Sequence, residues 1–308
     1  MMTNEVPVPL SFTAQRPCDD SFPSRRLRVL VTGAGGTIGA YFAQHAAKRY
    51  DLRLMIRSGS TADELANHGE VVTGDLGDLA ALHRACQGID TVLHLAGASD
   101  PSAVWREVLS DNIVGTYHLF TAAKAAGCRR VVYASSIHAV SGYSLDVQVK
   151  STDPVNPGDL YGVSKCFGEA LGRYFAEQES LSVIAVRIGA CLPLSAVTDD
   201  QATGVMDAFI AQDDLVDLLQ RTIDDHTLQW AVIHALSDNR CKRLDISTAR
   251  DLLGYQPAHD VFRLQPGLRA LEAHRRLLAH SVADARQQSG LREELAALGC
   301  TSRQSPPA

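Results

Sequence analysis

The chain has 308 residues, 45% of them hydrophobic, enough to bury the core of one large α/β domain or two modest ones. Its formal charge of −6 is mild and spread out, and basic pairs such as Arg25-Arg26 and Arg129-Arg130 are short, so nothing points to a nucleic-acid partner. Seven scattered cysteines form no C-x-x-C pair, which argues against a disulfide framework and against a structural zinc site.

Residues 1–25 are rich in Pro, Ser and polar groups and read as a flexible extension without the pattern of a secretory signal. From residue 26 an alternation begins. Leu27–Thr32 is an apolar strand and Thr37–Arg49 a helix; Leu52–Ile56 and Val71-Val72 are the next strands, and Asp78–Cys86 the next helix. Thr91–Leu95 is a strand, and Val104–Ala126 a long amphipathic helix closed by Gly127. Arg130–Ser135 is a strand, Leu160–Glu179 a helix and Val183–Arg187 a strand. Six apolar strands separated by helices predict a doubly wound parallel sheet, a Rossmann-type α/β domain over residues 26–190.

Beyond Arg187 the rhythm breaks. Cys191–Gly204 reads as a loop, Asp213–Ile223 as a helix, Leu228–Ala235 as a strand and Asp245–Leu253 as a helix before Gly254. Residues 191–265 are therefore expected to form a small mixed cap that binds substrate. Residues 266–308, rich in Ala, Leu, Arg and Glu, are expected to form a helical tail. No run approaches the ~18 apolar residues of a membrane span. A soluble, cytoplasmic protein with no membrane partner is the expectation.

Gly33-Ala-Gly-Gly36-Thr37-Ile38-Gly39 follows the first strand and opens the first helix, with the spacing G-x-x-G-x-x-G. Glycines there permit a tight turn and let the backbone approach a pyrophosphate, whose charge the helix N-terminus favours. Between a strand and a helix, this pattern predicts a bound dinucleotide. The tip of the second strand, Ile56-Arg57-Ser58, carries no carboxylate to grip ribose hydroxyls. Arg57 and Ser58 suit a 2′-phosphate, which favours NADP over NAD; the alternative is that Arg57 stacks on the adenine or faces solvent.

Tyr161-Gly-Val-Ser-Lys165 places a phenol and an ammonium on one helical face. The lysine charge is expected to favour the phenolate, tuning a proton donor and acceptor for an alcohol or a carbonyl oxygen. Ser136, one strand end away, is a second catalytic candidate. His94 is expected to pack near the cofactor, and Asp213-Asp214 to cap the helix that follows. Glu169, four residues after Lys165, either pairs with it or is a solvated charge. Trp105, Trp230 and Tyr143 either line a pocket or belong to the core.

In order along residues 27–190 stand the glycine loop, Gly74-Asp75-Leu76, His94-Leu95-Ala96-Gly97, Asn112, Ser135-Ser136, and Tyr161 with Lys165. Together they resemble the extended short-chain dehydrogenase/reductase superfamily, the NAD-dependent epimerases and dehydratases. The stretch Tyr161–Glu169, then Val186-Arg-Ile188-Gly, Asp213-Asp214 and Leu253-Gly-Tyr255 most resemble the uronate dehydrogenases. The resemblance implies that Asp75 and Leu76 meet the adenine, and that Leu95, Ala96, Gly97 and Ile188 line the cofactor. It implies that Asn112 braces the site and that Ser136 bonds the reacting oxygen. Tyr161 would be the acid/base, with Lys165 holding the nicotinamide ribose, and Ser99 and His138 would line the sugar-acid pocket.

The chain departs from that pattern at three places. Ile137 stands where those enzymes have an asparagine, and Ala190 where they have a serine; no arginine lies between Cys191 and Asp213 to clamp a carboxylate. A hexuronate is therefore not assigned. The implied activity is an NAD(P)-dependent oxidoreductase acting on a secondary alcohol, ketone or sugar-like small molecule. The alternatives are a sugar epimerase with a tightly held cofactor, or a non-catalytic cofactor-binding protein. No metal is called for, and relatives commonly form homo-oligomers.

Overall fold

Apolar runs such as Val29-Leu-Val31 and Val183-Ile-Ala-Val186 are wholly buried because helices cover both faces of the sheet that they build. The computed structural model describes residues 25–57, 63–197, 202, 204–265 and 268. The expected helical tail, Leu268 apart, and the extension up to residue 24 lie outside those residues.

The strands of the sheet are β1 (Arg28–Thr32), β2 (Asp51–Ile56), β3 (Glu70–Thr73), β4 (Thr91–His94), β5 (Arg130–Ser136) and β6 (Ser182–Ile188). A short separate pair follows, β7 (Ala190–Leu192) with β8 (Phe209–Ala211), and then β9 (Trp230–Ala235) returns to the sheet. The sheet order is β3-β2-β1-β4-β5-β6-β9, with every pairing parallel. The sequence predicts six strands and a cap beyond residue 190; instead β9 adds a seventh strand, in register from Val183↔Trp230 to Ile188↔Ala235. The excursion through β7 and β8 interrupts the strand–helix rhythm, which is why the strand read at Leu228–Ala235 is placed in the cap and not in the sheet.

The helices are α1 (Thr37–Ala46), α2 (Asp63–Ala66), α3 (Leu79–Cys86), α4 (Trp105–Glu107), α5 (Gly115–Ala125), α6 (Leu160–Gln178), α7 (Gln212–Asp224), α8 (Ser247–Leu253) and α9 (Val261–Leu264). The predicted long helix is interrupted: between α4 and α5 the chain runs as a π-helix over Val108–Val114. Gly127, at φ +78, closes α5 in the left-handed region that favours glycine. Phe42 of α1 and Leu215 and Leu219 of α7 fill one face of the sheet. Leu82 of α3, Leu119 and Phe120 of α5 and Phe175 of α6 fill the other. Because β2 and β4 flank β1 on opposite sides, the crossovers diverge there and leave a crevice at the strands' carboxyl ends.

Candidate active site

A cavity of about 720 Å³ occupies that crevice. Gly33, Gly36, Thr37, Ile38 and Gly39 line it, and so do Arg57, Asp75 and Leu76 at the ends of β2 and β3. Leu95, Ala96, Gly97 and Ser99 follow β4 into its wall, and Ser136, His138, Tyr161, Lys165 and Ile188 complete it. Of the residues singled out in the sequence, Ser58 lies outside the described residues, and Asn112 stands behind the wall.

The glycine loop fits a phosphate group. Gly33 sits at φ +70, and a Cβ there would lie 2.8 Å from the Ala96 nitrogen. A Cβ on Gly39 would lie 2.4 Å from the Gly33 carbonyl oxygen, so the loop and the helix approach more closely than any side chain allows. Gly36 caps α1 without a side-chain bond, and the first turn carries no acid, so its positive end meets the cavity uncompensated. Asp75 Oδ1 accepts from the Gly77 N–H at 2.7 Å, which shapes the loop after β3. Arg57 is exposed and stands 3.9 Å from Asp111.

Asp159 starts α6. Its Oδ1 accepts from the Gly162 N–H at 2.7 Å, so the helix begins where Tyr161 and Lys165 reach the cavity. Tyr161 shares the cavity wall with Ser136, whose hydroxyl favours the phenolate. Burial opposes it more strongly, helped by the Asp159 charge, and pushes the phenol up to about 12. Burial also lowers the Lys165 ammonium to about 8, and its Nζ donates to the Ala134 carbonyl at 2.8 Å. The expected tuning of the tyrosine by the lysine charge is therefore not what dominates here; both groups are buried, and desolvation outweighs their attraction.

Asn112 is buried and turned into a clamp. Its Oδ1 accepts from the Ala98 N–H at 2.8 Å; its Nδ2 donates to the Ala98 carbonyl and to Ser164 Oγ, both at 2.9 Å. The loop after β4 is thereby tied to the tyrosine helix. His138 donates its backbone N–H to Ser136 Oγ at 3.2 Å, and its Nδ1 lies 2.6 Å from Asp159 Oδ2. Asp159 is the polar partner that the sequence pattern did not single out, although an aspartate before an apolar helix is a legible N-cap signal.

Other expectations change. Glu169 pairs with Arg187 instead of Lys165, through two bonds of 2.8 Å. Asp214 is no cap: α7 is capped by Ala211, and Asp214 accepts from Ser237 Oγ and from the Ala258 and His259 N–H groups. Asp213 accepts from the Tyr41 hydroxyl. His94 bonds Thr32 Oγ1 at 2.8 Å, and burial lowers its imidazolium to about 3, so it stays neutral. Trp230 packs against the core and Trp105 is half-exposed; neither they nor Tyr143 line the cavity. Cys191 does line it, with a thiol that burial raises to about 12. Among the described residues, no cluster of three His, Cys, Asp or Glu could hold a metal ion, and no helix is long and apolar enough to cross a membrane.

The chain is similar to known proteins in sequence and in fold. Residues 29–244 match the model of the NAD-dependent epimerase/dehydratase family. The chain belongs to that family. A uronate dehydrogenase of Pseudomonas putida is 30% identical over 230 residues, spanning 75% of this chain and 83% of the relative. An NAD-dependent glucose-6-phosphate dehydrogenase of Haloferax volcanii is 33% identical over 244 residues, spanning 74% and 92%. The crystal structure of uronate dehydrogenase from Agrobacterium tumefaciens superposes with a TM-score of 0.72 at 29% identity, covering 84% of this chain and 97% of the other. A mutant of that enzyme complexed with NAD gives 0.73 at 28% identity, covering 86% and 100%. Within the family this chain is a dehydrogenase/reductase of the extended short-chain type.

Proposed function

We propose that the protein oxidises a hydroxyl group of a sugar-like small molecule, with Ser136, Tyr161 and Lys165 as its catalytic residues. The observation that carries this reading is the convergence of Ser136, Tyr161 and Lys165 on the wall of the cavity that the glycine loop also lines. A bound nicotinamide dinucleotide supplies the acceptor for the hydride. The glycine loop would hold its pyrophosphate, Asp75 and Leu76 its adenine, and Leu95 to Gly97 its ribose and phosphates. Ser136 Oγ would bond the reacting hydroxyl, and Tyr161, once ionised to the phenolate, would take its proton. Lys165 would hold the ribose and keep its charge near the phenol, favouring the phenolate once the site is filled. Asn112 maintains the distance between the loop after β4 and the tyrosine helix.

Arg57 at the tip of β2, without a carboxylate beside it in sequence, supports NADP over NAD. Sugar and sugar-acid dehydrogenases among the similar proteins support the substrate class. The test is reduction of NADP or NAD, followed by absorbance, with aldoses, uronates and cyclic alcohols. Tyr161→Phe should retain cofactor binding and lose about two to four orders of magnitude in turnover. Substantial activity in that variant would remove Tyr161 from its role, and NAD binding about tenfold more tightly than NADP would reverse the cofactor preference.

A further inference from the structure

We infer that the substrate is uncharged where it meets Ser136 and Tyr161: a neutral aldose, not its uronate or its sugar phosphate. The inference rests on the dehydrogenase reading above and narrows its substrate class.

Among the described residues that line the cavity, only Arg57 and Lys165 are Lys or Arg. Arg57 follows β2 and Ser136 ends β5, three strand positions apart in the sheet order, which is about 14 Å at the usual strand spacing. It cannot reach a group bonded to Ser136. Lys165 is engaged by the Ala134 carbonyl and, in the reading above, by the cofactor ribose. Nearby, Arg243 is buried outside the cavity wall; its Nη2 donates to the Ser141 and Tyr143 carbonyls, and Asp207 faces its charge.

The same cavity is also lined by Ser99, Pro101, Ile137, His138, Ala190 and Leu192. His138 stands with its Nδ1 2.6 Å from the buried Asp159 carboxylate, so the ring presents no uncompensated cation to the substrate. The described residues between Cys191 and Asp213 include Asp207 and neither Lys nor Arg. A carboxylate or phosphate brought here would lose its water without gaining a cation from the described residues. Sugar hydroxyls find Ser99, Ser136 and His138 as partners, and the C–H face of a ring meets Pro101, Ile137 and Leu192.

The experiment compares substrates that differ only at the sixth carbon: glucose with glucuronate and glucose 6-phosphate, and galactose with galacturonate, each at saturating NADP and NAD. The expected result is a kcat/KM for the neutral sugar at least about tenfold above that of its anionic partners. Equal or higher kcat/KM for the anions overturns the inference. If none turns over, calorimetric titration of the cofactor-loaded protein with the same sugars separates the two readings. Neutral sugars binding about tenfold more tightly than the anions would keep the neutral pocket and reject the dehydrogenase activity. Anions binding as well or better, or no sugar binding at all, would overturn the neutral pocket.

Discussion

Glu169 and Arg187 face each other inside the molecule: Oε1 and Oε2 of the carboxylate accept from Nε and Nη2 of the guanidinium, both at 2.8 Å. Ser135 Oγ donates to the same carboxylate at 2.5 Å. The pair therefore joins α6, which carries Tyr161 and Lys165, to β6 and to the end of β5 beside Ser136. It acts as a strut behind the site, with no part facing the cavity for Glu169 or Arg187.

Removing one partner leaves the other buried and unpaired. Glu169→Ala should cost about 3–5 kcal/mol in urea denaturation, whereas replacing both residues by methionine should cost far less. Similar losses from the single and the double substitution would show that the pair contributes packing alone.

Lys165 makes stability depend on pH in a defined sense. Burial lowers its folded value to about 8 from 10.5, so below about 8 both states hold the proton and the folded state bears the whole desolvation penalty. Between those values the unfolded chain binds more protons, so the penalty is relieved as pH rises. The full effect is on the order of 3 kcal/mol. Without cofactor, wild type should thus gain roughly 2 kcal/mol relative to Lys165→Met between pH 7 and pH 9.5, measured by urea unfolding of both at each pH. A constant difference across that interval would mean that the lysine is not desolvated.

Gly39→Ala tests the phosphate cradle. The new methyl would lie 2.4 Å from the Gly33 carbonyl oxygen, so the loop must move away from the helix end. Cofactor Kd should rise at least about tenfold, read by fluorescence titration, with a smaller loss of thermal stability. An unchanged Kd would place the phosphates elsewhere.

The layout of the sheet was legible because parallel strands buried on both faces read as continuous apolar runs, and the glycine spacing marked the first turn. What escaped depends on partners distant in sequence. Glu169 stands four residues after Lys165, yet the partner that meets it is Arg187, supplied by the neighbouring strand. Asp214 looks like a cap in sequence, but folding brings it Ser237 and the 258–259 backbone. The π-helical turn at Val108–Val114 leaves no trace in an amphipathic pattern that continues through it. Asp159 is the instructive case, because its local role in starting α6 was readable while its contact with His138 required the chain to fold.

That double role allows the charge of Asp159 to be separated from its capping. Asparagine caps a helix nearly as well as aspartate, so Asp159→Asn should keep α6 starting at Leu160 and leave the fold intact. It removes the negative charge now 2.6 Å from His138 Nδ1. At an effective dielectric constant of about 20, a unit charge acts on another about 8 Å away with roughly 2 kcal/mol, before solvent screening reduces it. Removing the Asp159 charge should therefore lessen the repulsion felt by a sugar carboxylate and scarcely affect a neutral ring. The ratio of glucuronate to glucose kcat/KM should rise about tenfold in Asp159→Asn, mostly through a lower KM for the uronate. If the ratio stays fixed while both activities fall together, Asp159 acts only through the placement of Tyr161 and His138, and its charge plays no part in choosing the substrate.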